Sequence, residues 1–122
     1  MSAKAPENLL PLTPLSHHIL LVLADRDCHG YAIVHEVERQ TGGALRPGTG
    51  TLYAALQRML ADGLIAMSAR TPRADEDQRR RYYAITDFGR EVARAEIRRL
   101  ARVLEVAAET SLVPEPAPGK GA

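Results

Sequence analysis

Pro47-Gly48-Thr49-Gly50-Thr51-Leu52-Tyr53-Ala54-Ala55-Leu56-Gln57-Arg58-Met59-Leu60-Ala61-Asp62 is the stretch around which the chain is organised. Pro47 and Gly48 end what precedes it, Thr49 is placed to cap a helix by accepting a bond from an orphan N–H, and Gly63 is placed to stop that helix. Leu52, Leu56, Met59 and Leu60 recur at helical offsets and predict one buried stripe. The other face keeps Thr51, Ala54, Gln57 and Arg58, with Tyr53 at the boundary. Glycine and hydroxyl residues at a helix start, followed by Gln and Arg, suit close approach to a polar surface. Small groups let the backbone come near, while hydroxyls and amides bind phosphates or base edges. In isolation an ordinary capped surface helix reads the same way, so its neighbours decide.

Upstream, Thr13 caps a helix with Pro14 at its first position, and Leu15, Ile19, Leu20, Leu21, Val22 and Leu23 make that helix apolar nearly all round. One side then meets the core and another is left for a partner subunit or a cavity. Asp25 to Gly30 breaks the helix, and Tyr31, Ile33, Val34 and Val37 predict a second one over 31–41, ended by Gly42 and Gly43. Two helices joined by a short Gly-containing connection, the second with a polar exposed start, are the ingredients of a helix-turn-helix.

Downstream the period changes. Leu64 to Ala69 and Arg81 to Ile85 read as the two strands of a hairpin. Its tip, 70–80, is too polar to pack and longer than a structural hairpin requires. A hairpin directly after a recognition-type helix makes a winged helix-turn-helix, with Arg79, Arg80 and Arg81 on the wing facing phosphates or the minor groove. A solvated charge run is the plainer reading of the tip, since Asp75, Glu76 and Asp77 offset the arginines; the position beside the central helix favours the wing. From Pro47 to Arg81 the basic residues are Arg58, Arg70, Arg73, Arg79, Arg80 and Arg81, and the only acid outside the wing cluster is Asp62. The candidate face is therefore locally positive although the whole chain carries a formal net charge of only +1.

Thr86 caps the last long helix, which runs to about Glu109. Ala93, Ile97, Leu100, Leu104 and Ala107 form a stripe that Phe88, Val92, Val103 and Val106 widen beyond what a helix lying on a small domain needs. A two-fold dimer would bury the remainder and set two recognition helices about one duplex turn apart. Leu15, Ile19, Val92, Ile97, Leu100 and Leu104 are the candidate dimerisation residues. Arg94, Arg98, Arg99 and Arg102, with Glu91, Glu96 and Glu105 nearby, read as a solvated, partly paired outer face.

The expected class is mainly α with a small β-hairpin (α+β), a winged helix-turn-helix plus a long C-terminal dimerisation helix. Residues 1–12 read as a flexible arm, 13–85 as the DNA-binding domain, 86–110 as the dimerisation helix and 111–122 as a disordered Pro/Gly tail. A chain of 122 residues with 45% apolar content fits one domain with a core. The lone Cys28 excludes an intramolecular disulfide framework, no run is long enough for a transmembrane helix, and the start lacks a secretory pattern, so a cytoplasmic protein is expected.

Five ordered blocks carry a resemblance: His29-Gly30-Tyr31-Ala32-Ile33, Gly50-Thr51-Leu52-Tyr53-Ala54-Ala55-Leu56, Asp62-Gly63-Leu64-Ile65, Arg80-Arg81-Tyr82-Tyr83 and Ile85-Thr86-Asp87-Phe88-Gly89. In this order and spacing the chain resembles the PadR family of transcriptional regulators over roughly 15–109. The resemblance implies a winged-helix dimer of the short subfamily, with one C-terminal helix, acting as a repressor on a pseudo-palindromic double-stranded operator and released by a small-molecule effector. It further implies that Tyr31 and Tyr53 anchor phosphates, that Thr49, Gly50 and Thr51 lie in the major groove, and that Arg80 and Arg81 belong to the wing. Gln57, Arg58 and Arg79 complete the DNA-binding candidates. Ala54 stands where many members have Pro, and the chain has no tryptophan, so an effector pocket would be mainly aliphatic and apolar.

Three rival readings stand beside it. His17, His18, Cys28, His29 and His35 cluster in sequence and invite a metal-responsive regulator, but His17 and His18 point to different helix faces and no tight ligand spacing is present. An enzyme would need a histidine with a carboxylate or nucleophile at motif spacing, or a phosphate-cradling loop, and neither occurs. No cofactor is implied. A winged-helix module that binds only protein would show no sequence preference on DNA.

Overall fold

Helix boundaries are set by short side-chain caps. At α1, Pro14–Leu23, the Thr13 hydroxyl accepts the N–H of Ser16 at 3.1 Å and Pro14 occupies the first turn. At α2, Gly30–Gln40, the imidazole of His29 caps instead, its Nδ1 accepting from the N–H of Ala32 at 3.2 Å. At α4, Asp87–Ala108, the Thr86 hydroxyl accepts from the N–H of Gly89 at 2.9 Å. The helix α3, Thr49–Ala61, differs from expectation: Gly48 is the N-cap, Thr49 is the first helical residue, and no side chain caps the end. Gly48 satisfies the extended backbone of a cap without a hydroxyl, which leaves Thr49 on the surface. The computed structural model describes residues 5–70, 74 and 79–114.

The C-terminus of α3 closes in a Schellman arrangement. Gly63, at φ 75°, lets its N–H reach the Leu60 carbonyl and that of Leu64 reach Met59. The chain then enters β2, Ile65–Met67, which pairs antiparallel with β3, Tyr82–Ile85, as the expected hairpin. A third strand, β1 at Cys28–His29, adds to the other side of β3, with Cys28 opposite Tyr83 and His29 opposite Tyr82. The sheet order is therefore β1-β3-β2. Of the wing tip, Arg73, Asp75, Glu76 and Asp77 lie outside the described residues, as do 1–4 and the tail beyond Pro114.

The core is built on α1, against which α2, α3, α4 and β3 all pack. Ile19, Leu20 and Leu23 of α1 meet Ile33 and Val37 of α2, Leu52, Leu56 and Met59 of α3, Ile65, Tyr83 and Val92 in one buried cluster. This corrects the reading of α1 and of part of the dimer surface. An all-round apolar helix here is a central helix, and Ile19 and Val92, both 0% exposed, are core residues that no partner subunit can reach. The segment 5–12 also departs from a free arm. Pro6–Leu9 forms a 3-10 turn against α4, Leu9, Leu10 and Leu12 pack on the core, and the N–H of Leu12 donates to Glu96 Oε2 at 2.7 Å. Apolar side chains and one buried carboxylate hold it there.

Candidate nucleic-acid interface

Burial of Leu52, Ala55, Leu56 and Met59 turns the opposite side of α3 to solvent. Thr49, Gly50, Thr51, Tyr53, Ala54, Gln57 and Arg58 are all exposed. The start of α2 lies beside the start of α3. Tyr31 (66% exposed) and Tyr53 (43% exposed) border a cleft of about 300 Å³ together with Gly30, Val34, Pro47 and Thr49. Gly30 is required by this approach, because a Cβ there would stand 2.5 Å from the Tyr53 hydroxyl oxygen. The two tyrosines and Thr49 therefore line one cleft.

The wing reaches the same side through Arg80, whose Nη1 lies 3.1 Å from Nε2 of His29, the residue that caps α2. Arg79 and Arg81 flank it and are exposed. The His29 ring stacks on Tyr31 (centroids 6.4 Å apart, planes 12° from parallel) and meets Tyr82 edge-on at 5.4 Å. Arg70 lies over the buried Tyr82 ring, 4.1 Å from its centroid. Arg58 stands apart: it lines a recess with Leu9, Thr13, Ser16 and Asp62 at the far end of α3. In sequence His29 is visible only as a metal candidate and as part of a family-like block; its place between helix and wing depends on β1, which is too short to read from a pattern.

The apolar surface of α4 is divided. Ala93 and Ala95 are buried, whereas Ile97, Leu100, Val103 and Leu104 are exposed on the half that projects beyond the domain, Leu104 by 69%. Leu15 is half-buried. A groove of about 190 Å³ between α1 and α4, lined by Leu20, Leu21, Ala24, Ala93 and Ile97 with Arg90 and Arg94 at its edge, continues this surface.

Burial raises the Cys28 thiol above its ordinary range, and its Sγ faces the Arg26 carbonyl oxygen at 3.9 Å. His18 Nδ1 bonds Gln40 Oε1 at 2.8 Å. Among the described residues no three His, Cys, Asp or Glu side chains converge as a metal site. Glu96, 1% exposed, accepts from Arg99 and from Leu12, and these bonds outweigh burial to hold its carboxyl below the usual range. His17, whose Nε2 is buried without a hydrogen-bond partner, is pushed below its usual value by burial, with Glu96 opposing. Among the described residues no helix is long and apolar enough to cross a membrane.

Residues 19–95 match the model of the transcriptional regulator PadR-like family. A transcriptional regulator of Mycobacterium tuberculosis, Rv3488, is 37% identical over 73 residues, 60% of this chain and 63% of that protein. An uncharacterised 37.1 kDa protein of a Streptomyces fradiae transposon is 36% identical over 85 residues, 70% of this chain but only 22% of its own length. The chain thus spans less than two thirds of either relative. Among solved structures, a PadR family transcription regulator from Clostridium difficile superposes with a TM-score of 0.66 at 23% identity, covering 80% of this chain and 97% of that one. A complex structure of H. salinarum RosR superposes with a TM-score of 0.62 at 26% identity, covering 87% and 95%.

Proposed function

Because the chain belongs to the PadR-like family of transcriptional regulators, we propose that it acts as a homodimeric repressor that reads a pseudo-palindromic operator and is released by an apolar effector. The observation that carries this reading is the convergence, on one side of the domain, of the exposed hydroxyl face of α3, Tyr31 at the start of α2, and the wing arginines. In this reading Thr49, Gly50 and Thr51 approach base edges, Tyr31 and Tyr53 donate to phosphates, and Arg79, Arg80 and Arg81 track the backbone. Ile97, Leu100 and Leu104 pair with a second copy, which covers the exposed half of α4 and sets the spacing of the two α3 helices. The α1–α4 groove adjoins that contact, so a ligand seated there would favour one dimer geometry over another.

The test is fluorescence anisotropy with a duplex from upstream of the protein's own gene and a scrambled duplex of equal length, across salt concentrations. A preference of roughly a thousandfold or more is expected of a specific regulator. Equal, weak and steeply salt-dependent binding to both would refute the operator reading and favour a winged-helix module for a protein partner.

A further inference from the structure

Asp27 directly precedes β1 and Ser68 directly follows β2, the two outer strands of the sheet, with β3 between them. Neighbouring strands lie about 4.8 Å apart, so residues on the two outer strands are separated by about 10 Å and a bond between them must cross the middle one. The Ser68 hydroxyl makes that bond, donating to Asp27 Oδ2. The same oxygen accepts the N–H of Arg70 at 3.0 Å, while the Ser68 N–H extends the ladder to β3 by donating to the Tyr82 carbonyl at 2.8 Å. The hydroxyl is therefore donor and acceptor at once, and both of its bonds are directed.

Two parts of the candidate DNA surface meet through this bond. The two-residue β1 belongs to the link between α1 and α2, and leads straight to Tyr31; β2 and β3 are the stem of the wing that carries Arg79, Arg80 and Arg81. Because Ser68 also holds the N–H of Arg70, its hydroxyl fixes the point at which the chain leaves the sheet for the wing tip. Asp27 and Ser68 are half-buried, whereas Arg26, Met67, Ala69 and Arg70 beside them are exposed. An unengaged carboxylate beside a surface that meets phosphates would repel them. Here the carboxylate holds a hydroxyl in a charge-assisted bond instead.

We propose that Asp27 and Ser68 form a brace that sets the direction of the wing and so holds Arg80 and Arg81 where they reach the DNA backbone once α3 is seated. Both are positioning residues that act through the wing arginines, not DNA contacts. The proposal rests on the DNA-binding reading and adds to it the bond that makes wing and helix-turn-helix one surface. Substitution separates the bond from the charge. Asp27→Ala and Asp27→Asn remove the same negative charge, but Asn keeps a side-chain oxygen for the hydroxyl. Ser68→Ala removes the hydroxyl, and Ser68→Thr keeps it.

The experiment measures anisotropy binding of the upstream and scrambled duplexes across salt concentrations for the wild type and these four variants and, without DNA, the rate at which trypsin cleaves after Arg70. Ser68→Ala should bind both duplexes about fivefold more weakly, keep its preference between them, and lose about one from the slope of log affinity against log salt as the wing gives up a phosphate. Asp27→Ala should bind about fivefold more weakly than Asp27→Asn, which carries the same charge. Ser68→Thr should stay within about twofold of the wild type. Trypsin cleavage after Arg70 should quicken about fivefold in Ser68→Ala and not in Ser68→Thr, because cleavage follows the population of the opened segment. In an Arg80→Ala/Arg81→Ala background Ser68→Ala should cost less than about twofold, since the cations that the brace positions are gone. A merely structural loss would weaken both backgrounds alike, and that result overturns the proposal. Equal binding by Asp27→Ala and Asp27→Asn overturns it too. A wild type that prefers no duplex removes the regulator reading and the brace's part in it; a specific wild type beside a Ser68→Ala with unchanged affinity, slope and cleavage removes the brace alone.

Discussion

Gly89→Ala should destabilise the protein, although a glycine-to-alanine change inside a helix ordinarily stabilises it by about 1 kcal/mol. Gly89 lies in the first turn of α4, where the helix leaves β3 and crosses the start of β2. A Cβ at this position would run into the carbonyl oxygen of Leu64, well under the 3.0 Å that real Cβ atoms respect, and would stand 3.0 Å from Ile85 Cγ1. The obstacle is backbone and cannot swing aside. To restore ordinary contact at 3.4–4 Å, the first turn of α4 must withdraw by on the order of 1 Å. That same carbonyl accepts from the Thr86 N–H at 3.1 Å and shares the Thr86 hydroxyl with the Gly63 carbonyl, so withdrawal pulls apart the bonds that seat the helix. Overpacking costs about 1–3 kcal/mol, and the two bonds about 1 kcal/mol each if the helix moves instead. Either route, less the propensity gain, leaves a net loss of about 1 kcal/mol. For a chain of this size that is a fall of about 4 °C in melting temperature, read by circular dichroism at fixed protein concentration. Gly50→Ala is the control: the residue is exposed, a Cβ added to it would meet nothing within 4 Å, and the variant should melt at or above the wild type. A Gly89→Ala protein as stable as the wild type would refute the packing argument.

Further outcomes follow from the same geometry. Gly30→Ala meets only the end of the Tyr53 side chain, so stability should hold within about 1 kcal/mol while displacement of Tyr53 weakens duplex binding by about tenfold, measured by anisotropy. Arg80→Ala should weaken binding to all duplexes alike and lower the slope of log affinity against log salt by about one, whereas Thr51→Ala should relax preference at one position of the operator. Leu104→Asp, on the exposed end of α4, should shift sedimentation equilibrium from dimer to monomer and leave the fold intact, in contrast with Ile19→Asp, which should unfold it. The carboxyl of Glu96 is held below 4.5, so its contribution to stability is full above that value and is lost as pH falls through the depressed native value. His17, lowered from 6.5, likewise withdraws stability as pH drops below 6.5; urea midpoints taken from about pH 7 to about pH 3 should therefore fall in acid, with the lower step missing in Glu96→Gln.

Most of the fold is legible in the sequence because its boundaries are local. Thr13-Pro14 and Thr86 act as caps through bonds three residues long, and Gly63 ends α3 by its own backbone conformation, so pattern and structure coincide there. The strand β1 escapes such a reading because two residues carry no period; Cys28 and His29 are a strand only because β3 lies beside them. A pattern favours Thr49 as the cap of α3 because hydroxyls outrank glycine there on average, and the chain instead places Gly48 in that role.

The apolar faces show the deeper limit of periodicity. Ile19, Val92, Ile97, Leu100 and Leu104 all belong to helical stripes, and nothing in their spacing separates those that the chain covers from those that it leaves bare. The separation comes from length: the domain packs against the first part of α4, as far as the buried Glu96, and ends there, while the helix continues to Ala108. What lies before that point is core, and what lies after it is the exposed stripe proposed to meet a partner. The same reasoning holds for the candidate DNA surface. The residue types of Tyr31, Thr49, Tyr53 and Arg80 are readable one at a time, but the seam that joins them is made by His29, which is 51 residues from Arg80 in sequence and in contact with it only because β1 pairs with β3.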